Sequence, residues 1–260
     1  MQSLTVIKIG GNIVDDESSL QAFLDTYASI EGPKVLVHGG GKLATRMATQ
    51  LGIETQMVNG RRITDEAMLP IAVMVYAGLI NKQITAQLQS RGCDAIGISG
   101  ADAKLIQSHK RPTEPIDYGH VGDFKASDVN VVRLKQLVEI GLSPVFSAIT
   151  ADKEGQLLNT NADTIASNLA VALATEYKVA LIYCFERKGV LQDINNEDSV
   201  ISTINRENFT QLKEQGVIAD GMLPKIENAL AAIDQGVNKV CIKKAEDLLE
   251  AEAGTTIQRQ

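Results

Sequence analysis

Glycine-rich turns follow two short apolar runs of the sequence, where ligand chemistry is possible. Lys8 precedes Gly10-Gly11 at the end of the first run, and the stretch Gly39–Gly41 follows the second. Glycine lets the backbone approach an anion closely, and free N–H groups at a helix start point toward it. Because parallel strands end at one edge of a sheet, we expect both turns to face the same ligand. The pattern predicts a polyphosphate or carboxylate site.

The second turn also fits a different template. Gly39, Gly41 and Ala44 match the dinucleotide fingerprint G-x-G-x-x-G/A, and Asp65 lies about 20 residues further on. Asp65 stands where a capping residue opens a helix, however, and this template leaves Lys8 unexplained. An NADP-binding reductase is therefore the alternative from another reaction class.

Polar residues farther along the chain have both structural and functional explanations. Asn161 and Asp163 suit a helix cap with an acidic first turn, which leaves Asn159 free for a ligand. Arg62 follows a short extended run, where it could clamp a carboxylate or lie on the surface. Lys225, in the first turn of a predicted helix, opposes the helix dipole, and a bound phosphate would remove that conflict. The simpler explanation for Lys225 is a solvated side chain.

The composition is that of a globular intracellular protein. The 260 residues are 44% hydrophobic, and the formal net charge is −7. An acidic chain repels nucleic acid and anionic membranes at long range, so neither is an expected partner. Three scattered cysteines favour a reducing cytoplasm, and no Cys/His cluster has metal-ligand spacing. The longest apolar stretch, Leu69–Ile80, is shorter than the roughly 20 residues that cross a bilayer.

Alternating β-rich and helical patterns predict the elements that position these residues. Such alternation is typical of βαβ units and a mostly parallel α/β sheet. Strands are predicted at Leu4–Ile9, Lys34–Val37, Ala95–Ile98, Pro144–Ile149, Val179–Cys184 and Lys239–Ile242. Helices are predicted from Gly11 to Tyr27, from Gly41 to Leu51, from Thr64 to Arg91, and at Val131–Ile140, Asn161–Thr175, Arg206–Gln215 and Leu223–Gln235. Hairpins and loops that border a pocket are expected between Lys104 and Val129.

Six motifs occur together in a characteristic order. They are KIGGN at 8–12, HGGGK at 38–42, NGRRITDE at 59–66, GHVGD at 119–123, GQLLNTNAD at 155–163 and DGMLPK at 220–225. This set resembles the N-acetyl-L-glutamate kinases of the amino acid kinase family, and the likeness covers essentially the whole chain. The glycine loops are shared with aspartate, glutamate 5-, carbamate and UMP kinases, whereas the NGRR and NTNAD motifs are typical of the acylglutamate enzymes.

The resemblance implies a fold, a reaction and site residues. It implies a three-layer αβα sandwich, with an N-lobe for the amino acid and dimerisation over 1–165 and a C-lobe for ATP over 166–260. The implied reaction transfers the γ-phosphoryl group of MgATP to the side-chain carboxylate of N-acetyl-L-glutamate in arginine (ornithine) biosynthesis, without a tightly bound cofactor or a protein-bound metal. The matching residues are Lys8, Lys225 and Asp163 for catalysis, Gly40, Gly41, Arg62 and Asn159 for the acceptor, and Lys8, Gly10, Gly11, Glu186, Gly189 and Lys225 for the nucleotide.

Two features depart from the family pattern. Where the family shows Ser/Thr-Asp-Val-x-Gly, this chain has Phe185–Gly189, so that Glu186 replaces the aspartate with a side chain one methylene longer. The extra N-terminal helix of hexameric, arginine-inhibited members is missing before the first strand. We therefore expect an arginine-insensitive homodimer with Leu69–Ile80 at its core.

Three questions stay open at this stage. The acyl group could be succinyl instead of acetyl, since it would meet the 104–129 loops. Another carboxylate or carbamate kinase of the family is the nearest rival activity. A nucleotide or amino acid sensor without activity would have lost a key residue, but Lys8, Asp163 and Lys225 are all present.

Overall fold

The computed structural model describes residues 1–58, 60–218 and 222–259. The strands are β1 (Ser3–Ile9), β2 (Lys34–His38), β3 (Met57–Val58), β4 (Arg61–Arg62), β5 (Ala95–Ile98), β6 (His109–Lys110), β7 (Val121–Asp123), β8 (Ser143–Phe146), β9 (Ile149–Ala151), β10 (Leu157–Thr160), β11 (Lys178–Phe185), β12 (Thr203–Ile204), β13 (Lys239–Lys244) and β14 (Thr255–Ile257). The helices are α1 (Gly11–Asp15), α2 (Glu17–Ser29), α3 (Gly41–Gln50), α4 (Met68–Val73), α5 (Asn81–Gln89), α6 (Val131–Glu139), α7 (Ala162–Leu173), α8 (Arg206–Glu214) and α9 (Leu223–Asp234). A π-helical stretch, Met74–Ile80, joins α4 to α5.

An eight-stranded sheet runs through the described part of the chain in the order β12-β14-β13-β11-β1-β2-β8-β5. All neighbouring strands in it are parallel except β13 and β14. β1 lies between β2 and β11, and its last residue, Ile9, is in register with His38 and Cys184. The loops after these three strands therefore emerge side by side, at the point where the chain order changes direction.

Helices cover both faces of this sheet. One buried cluster packs α6, α7, α8 and α9 on one face, and a second packs α2, α3, α4 and α5 on the other. The strand β1 supplies both clusters by alternation, since Val6 belongs to the first and Ile7 and Ile9 to the second. The predicted α/β class and three-layer αβα sandwich are confirmed.

A smaller sheet and a hairpin flank the central one. The sheet has the order β6-β7-β10-β9, and β3 pairs with β4 as a two-stranded hairpin. The predicted hairpins and loops between Lys104 and Val129 supply β6 and β7 of this smaller sheet.

Two predicted elements are each divided in the structure. The first helix ends at Asp15, and a new one begins after Asp16, whose carboxylate caps it by accepting from the Ser19 amide at 2.8 Å. The predicted strand Pro144–Ile149 is wrong as a single element, because β8 belongs to the large sheet and β9 to the small one. Its apolar residues are continuous in sequence, so the sequence holds no sign of the change of sheet.

The apolar stretch Leu69–Ile80 lies in the N-terminal part of a longer helix. Met68–Gln89 is continuous over 22 residues and, within the described ranges, is the one helix whose length and composition would suffice to cross a membrane. Half of its most apolar window is buried in the fold. Core helices of soluble proteins have the same length and composition, so this property alone does not indicate a membrane span.

Candidate active site

A cavity of about 700 Å³ opens at the ends of β1, β2 and β11. Its floor is formed by the two glycine turns, with Gly10 and Gly11 from one and Gly41 from the other. Lys8 and Lys225 line the same cavity. The structure thus brings together the glycine turns and both predicted lysines, as the parallel sheet requires.

Lys8 forms an ion pair with Asp163. Its Nζ lies 2.8 Å from Asp163 Oδ1, and the two side chains are 9% and 29% exposed. The contact follows from β-strand alternation, because Lys8 lies on the face of β1 that α7 covers, and Asp163 lies in the first turn of α7. Asn161 caps that helix, accepting from the Thr164 amide at 3.0 Å. Asp163 therefore orients a cation at the edge of the cavity.

Phe185 lies beneath both lysines. Lys225 Nζ is 4.0 Å from the centre of its ring, and Lys8 Nζ is 5.4 Å from it. Such cation–π contacts hold the ammonium groups without neutralising them. Burial lowers the pKa of Lys225 below its usual range and Lys8 adds to that effect, whereas Asp163 and Glu186 oppose it. Against the two carboxylates Asp163 and Glu186, the cavity lining holds five basic side chains, which leaves net positive charge for a phosphate: Lys8, Lys42, Arg62, Arg187 and Lys225.

The far wall of the large cavity is apolar. It includes Val190, Leu191, Ile218 and Ile242, which suit the flat face of a nucleobase. Glu186 and Gly189, which the resemblance assigns to the nucleotide, also line the cavity. A Cβ on Gly189 would lie 2.8 Å from Thr255 Oγ1, so a side chain here would crowd the start of β14.

A second cavity, of about 200 Å³, adjoins the first. The residues that line both are Gly41, Met57 and Arg62. The others that line the small one are Gly39, Gly40, Gly60, Arg61, Tyr76, Arg111, Val121, Ala148 and residues 159–162. A small ligand here would meet a nucleotide in the large cavity at Gly41 and Arg62.

Arg62 is buried and only partly satisfied. It is 9% exposed, and its Nη2 donates to the Gly41 carbonyl at 2.8 Å and to Thr45 Oγ1 at 2.7 Å. Its Nη1 is buried and has no hydrogen-bond partner among the described residues. Because an unpaired buried donor is costly, the guanidinium is prepared for an acceptor from a ligand, such as a carboxylate.

Asn159 and the glycines complete the small cavity. Asn159 Nδ2 donates to Thr64 Oγ1 at 2.9 Å, which fixes the side chain and leaves its carbonyl oxygen to accept from a ligand N–H. A Cβ on Gly40 would collide with Ile80 Cδ1 and approach Tyr76 Cδ1 to 3.2 Å. Gly40 is thus required for the helix to pack directly behind the turn.

His38 anchors the second glycine turn from behind. It is fully buried, its Nε2 lies 3.1 Å from Asn81 Nδ2, and its Nδ1 lies 2.9 Å from the Gly39 carbonyl. Burial lowers the pKa of His38 to about 4, which keeps the ring neutral near pH 7. His38 is a structural residue of the turn and does not face either cavity.

Asp65 caps the helix that begins near Met68, as expected from its position. Its Oδ1 accepts from the Met68 amide at 2.8 Å and from the Ala67 amide at 3.1 Å. A carboxylate engaged in this way does not act as the ribose acceptor of a dinucleotide site, so the reductase template fits the structure poorly. Within the described ranges, no group of three or more His, Cys, Asp or Glu side chains could hold a metal ion.

Several residues of the site were not predicted from the sequence. Phe185 departs from the family pattern in sequence, but nothing in the sequence indicates its contact with both lysines. Tyr76 lies in an apolar helical stretch that resembles core sequence, and Arg111 lies in a loop-rich stretch without a motif of its own. Asn59 of the NGRR motif and Asp220-Gly221 of the DGMLPK motif lie outside the described residues.

The sequence profile of the amino acid kinase family matches residues 3–244. Acetylglutamate kinase of Phocaeicola vulgatus is 52% identical over 258 residues, covering 99% of both chains. Acetylglutamate kinase of Cytophaga hutchinsonii is 54% identical over 251 residues, covering 96% of this chain and 94% of the relative. The similarity therefore extends over both cavities.

Solved structures agree in fold. The structure of smu.665 from Streptococcus mutans has a TM-score of 0.75 and 26% identity, with 99% of each chain covered. Carbamate kinase from Giardia lamblia, bound to AMP-PNP, has a TM-score of 0.69 at 15% identity and covers 100% of this chain and 99% of its own. At that identity the likeness concerns the fold alone.

Proposed function

The chain belongs to the amino acid kinase family, and we propose from this premise that its two cavities hold the two substrates of one phosphoryl transfer. The reaction moves the γ-phosphoryl group of ATP to the side-chain carboxylate of N-acetyl-L-glutamate, forming N-acetyl-L-glutamyl phosphate in arginine biosynthesis. The observation that carries the proposal is the meeting of the large and small cavities at Gly41 and Arg62.

The chemistry requires charge stabilisation more than proton transfer. A glutamyl carboxylate has a pKa of about 4.3, so it is already an anion at pH 7 and needs no general base. The obstacle is the approach of this anion to the charged triphosphate, which cations and backbone amides lower. Lys8 and Lys225 serve as these cations, and Asp163 orients Lys8.

The large cavity binds ATP, which enters as its magnesium complex. The amides of Gly10 and Gly11 face the phosphates, and the apolar far wall takes the base. Glu186 and Gly189 border the nucleotide, with Glu186 standing where the family has aspartate. Magnesium would enter as part of this substrate and would supply positive charge to the triphosphate.

The small cavity binds the acceptor. Arg62 holds its α-carboxylate through the free Nη1, and the Asn159 carbonyl accepts from the acylamino N–H. The side-chain carboxylate then extends toward Gly40 and Gly41, at the wall shared with the nucleotide cavity.

The acyl group could carry a further carboxylate, as in N-succinyl-L-glutamate. Arg61 and Arg111 line the small cavity in addition to Arg62. The cavity therefore holds more cations than the single α-carboxylate of an acetylated substrate needs there. Arg111 already pairs with Asp123 through two hydrogen bonds, which leaves the exposed Arg61 for a distal carboxylate. This observation keeps the succinyl compound as the second candidate acceptor.

The division into lobes at 1–165 and 166–260, the homodimer and the cytoplasmic location belong to the same proposal. Leu69 and most of its apolar neighbours are core residues of one chain, while Met74 and Leu79 are 56% and 43% exposed and would supply the proposed subunit contact. The cysteines are all free and buried, which suits a reducing compartment. Sedimentation velocity tests the dimer, and a monomer or a hexamer would contradict it.

ADP release measured with MgATP and a panel of acceptors tests the function. The panel contains N-acetyl-L-glutamate, N-succinyl-L-glutamate, free glutamate and free aspartate. We expect turnover with an acylated glutamate and none with a free amino acid. Turnover with only a free amino acid would indicate a sister kinase, and no turnover with any acceptor would favour a sensor.

A further inference from the structure

We propose that the Tyr76 hydroxyl binds the acceptor substrate directly, donating a hydrogen bond to the carboxylate that Arg62 holds. The inference rests on the proposed function, from which it takes the acceptor carboxylate. It assigns to the π-helical stretch Met74–Ile80 a role in substrate binding that packing alone does not require.

The position of Tyr76 is fixed by the glycine turn. The residue is 5% exposed, and its ring packs over Gly40, where a Cβ would lie 3.2 Å from Cδ1 and 3.5 Å from Cε1. A Cβ built on Gly41 would lie 4.0 Å from the hydroxyl oxygen and 3.7 Å from Arg62 Nη2. The phenol and the guanidinium therefore flank the same glycine, and both line the small cavity.

The hydrogen of the hydroxyl needs an acceptor. A guanidinium only donates hydrogen bonds, so Arg62 can give one to the phenol oxygen but cannot receive one from it. The nearby Gly41 carbonyl already accepts from Arg62 Nη2 at 2.8 Å. A carboxylate bound to the free Nη1 of Arg62 would bring an acceptor to the hydroxyl as well.

The phenol keeps its hydrogen at neutral pH. Burial raises the pKa of Tyr76 above its usual value of 10, and the nearby Arg62 only partly opposes this effect. The group is therefore a neutral donor throughout the range in which the acceptor carboxylates are charged. A neutral donor beside a guanidinium binds one oxygen of the carboxylate without adding another charge to the cavity.

Asp15 is the competing acceptor. Its Oδ2 is buried and has no hydrogen-bond partner within the described part of the chain, and its charge contributes to the raised pKa of Tyr76. If the Tyr76 hydroxyl donated its hydrogen bond to Asp15 instead, removal of the hydroxyl would weaken the fold and leave the affinity for the substrate unchanged. The two roles thus differ in a measurable way.

The Tyr76→Phe variant removes the hydroxyl and keeps the ring. We expect the KM for N-acetyl-L-glutamate to rise roughly tenfold or more, as for a hydrogen bond to a charged group, with the KM for ATP and the melting temperature unchanged. Tyr177→Phe is the matched control, since Tyr177 is equally buried, in the core cluster on the opposite face of the sheet. It should leave both KM values at the wild-type level.

The Tyr76→Leu variant separates the ring from the hydroxyl. It should show the same rise in KM and, in addition, a lower melting temperature, because the packing over Gly40 is lost. An unchanged acceptor KM in Tyr76→Phe would overturn the inference, and a lower melting temperature with unchanged KM would assign the hydroxyl to Asp15. If the wild-type chain itself releases no ADP with any acylglutamate, the proposed function fails first, which is a distinct result.

Discussion

The two cavities of the site are built in opposite ways. The small acceptor cavity, about 200 Å³, is lined by strand ends and by polar side chains tied to the protein, such as Arg62 and Asn159. The nucleotide cavity, about 700 Å³, is partly walled by the loop after β11, whose ion pairs lie on the surface. Lys188 and Asp198 in that loop are 2.6 Å apart, with side chains 47% and 84% exposed.

This difference indicates where selectivity resides. A buried polar side chain with an unpaired donor rejects ligands that lack the matching acceptor, because the donor would then stay unsatisfied. Exposed ion pairs contribute little to stability, so a loop held by them tolerates changes in sequence. We therefore expect the acceptor to be chosen by rigid contacts and the nucleotide by an adaptable surface.

Loss of Lys8 should have the largest effect, because its ammonium group lies in the large cavity, where the transferred phosphoryl group is proposed to bind. In Lys8→Ala we expect kcat to fall by about 10²–10³-fold, as when one donor to a developing charge is removed, with the acceptor KM changed only slightly. Steady-state kinetics measure both constants. Lys178→Ala, at the exposed start of β11, is the control and should retain wild-type turnover. Equal turnover in the two variants would remove Lys8 from the catalytic group.

His38, buried behind the glycine turn of the acceptor cavity, should make the stability of the fold sensitive to acid. The pKa of His38 is about 4 in the folded protein, below the ordinary value of about 6.5, so the unfolded chain binds more protons between these two values. Its contribution to stability is therefore present above pH 6.5 and is lost as pH falls toward 4, by on the order of 3 kcal/mol.

Urea unfolding at several pH values between 4 and 7.5 measures this loss. His38→Gln should flatten the dependence of the unfolding free energy on pH, whatever its stability at pH 7.5. His109→Gln alters an exposed histidine and should keep the wild-type slope. A wild-type slope in His38→Gln would show that the histidine behind the glycine turn is not the group responsible.

Arg62 tests the acceptor side more directly. Arg62→Lys keeps the charge but loses the forked geometry, so we expect the KM for the acylglutamate to rise by about 10–100-fold while the KM for ATP stays constant. The adjacent exposed residue offers a contrast, since Arg61→Lys should change the KM for N-acetyl-L-glutamate by less than about threefold. Similar constants for the two variants would contradict a rigid acceptor clamp at Arg62.

Glu186 should give the smallest effect. The residue is exposed at the mouth of the nucleotide cavity, where single charge interactions contribute at most about 1 kcal/mol. Glu186→Asp should therefore change the KM for ATP by less than about fivefold and leave the acceptor KM unchanged. A larger change would mean that the nucleotide loop is as selective as the acceptor cavity.

The sequence was sufficient to predict the part of the site that follows from strand ends. The motifs placed Lys8 near the end of β1 and the glycine turns directly after β1 and β2, and the parallel sheet brings such strand ends to one edge. Asp163 reaches Lys8 because strand alternation sends Lys8 toward α7. These relations depend on local patterns with a fixed period.

Other parts of the site depend on tertiary packing and could not be predicted. Tyr76 lies within an apolar helix, where a core tyrosine and a substrate-facing one have the same sequence surroundings. The contact of Phe185 with Lys225 depends on how the end of β11 and the start of α9 meet in the fold, which no sequence period specifies. The change of sheet between Phe146 and Ile149 also depends on tertiary packing, so the sequence does not indicate it.

The hydrogen bond from Arg62 to the Gly41 carbonyl has a consequence for the length of substrate that the acceptor cavity selects. In the proposed binding mode, the arginine that holds one carboxylate is hydrogen-bonded to the turn that receives the other, so the protein sets the span between the two ends of the substrate. We expect the two methylene groups of glutamate to match this span. We therefore expect an N-acylated aspartate, one methylene shorter, to occupy either end without bringing its second carboxylate to the phosphoryl group.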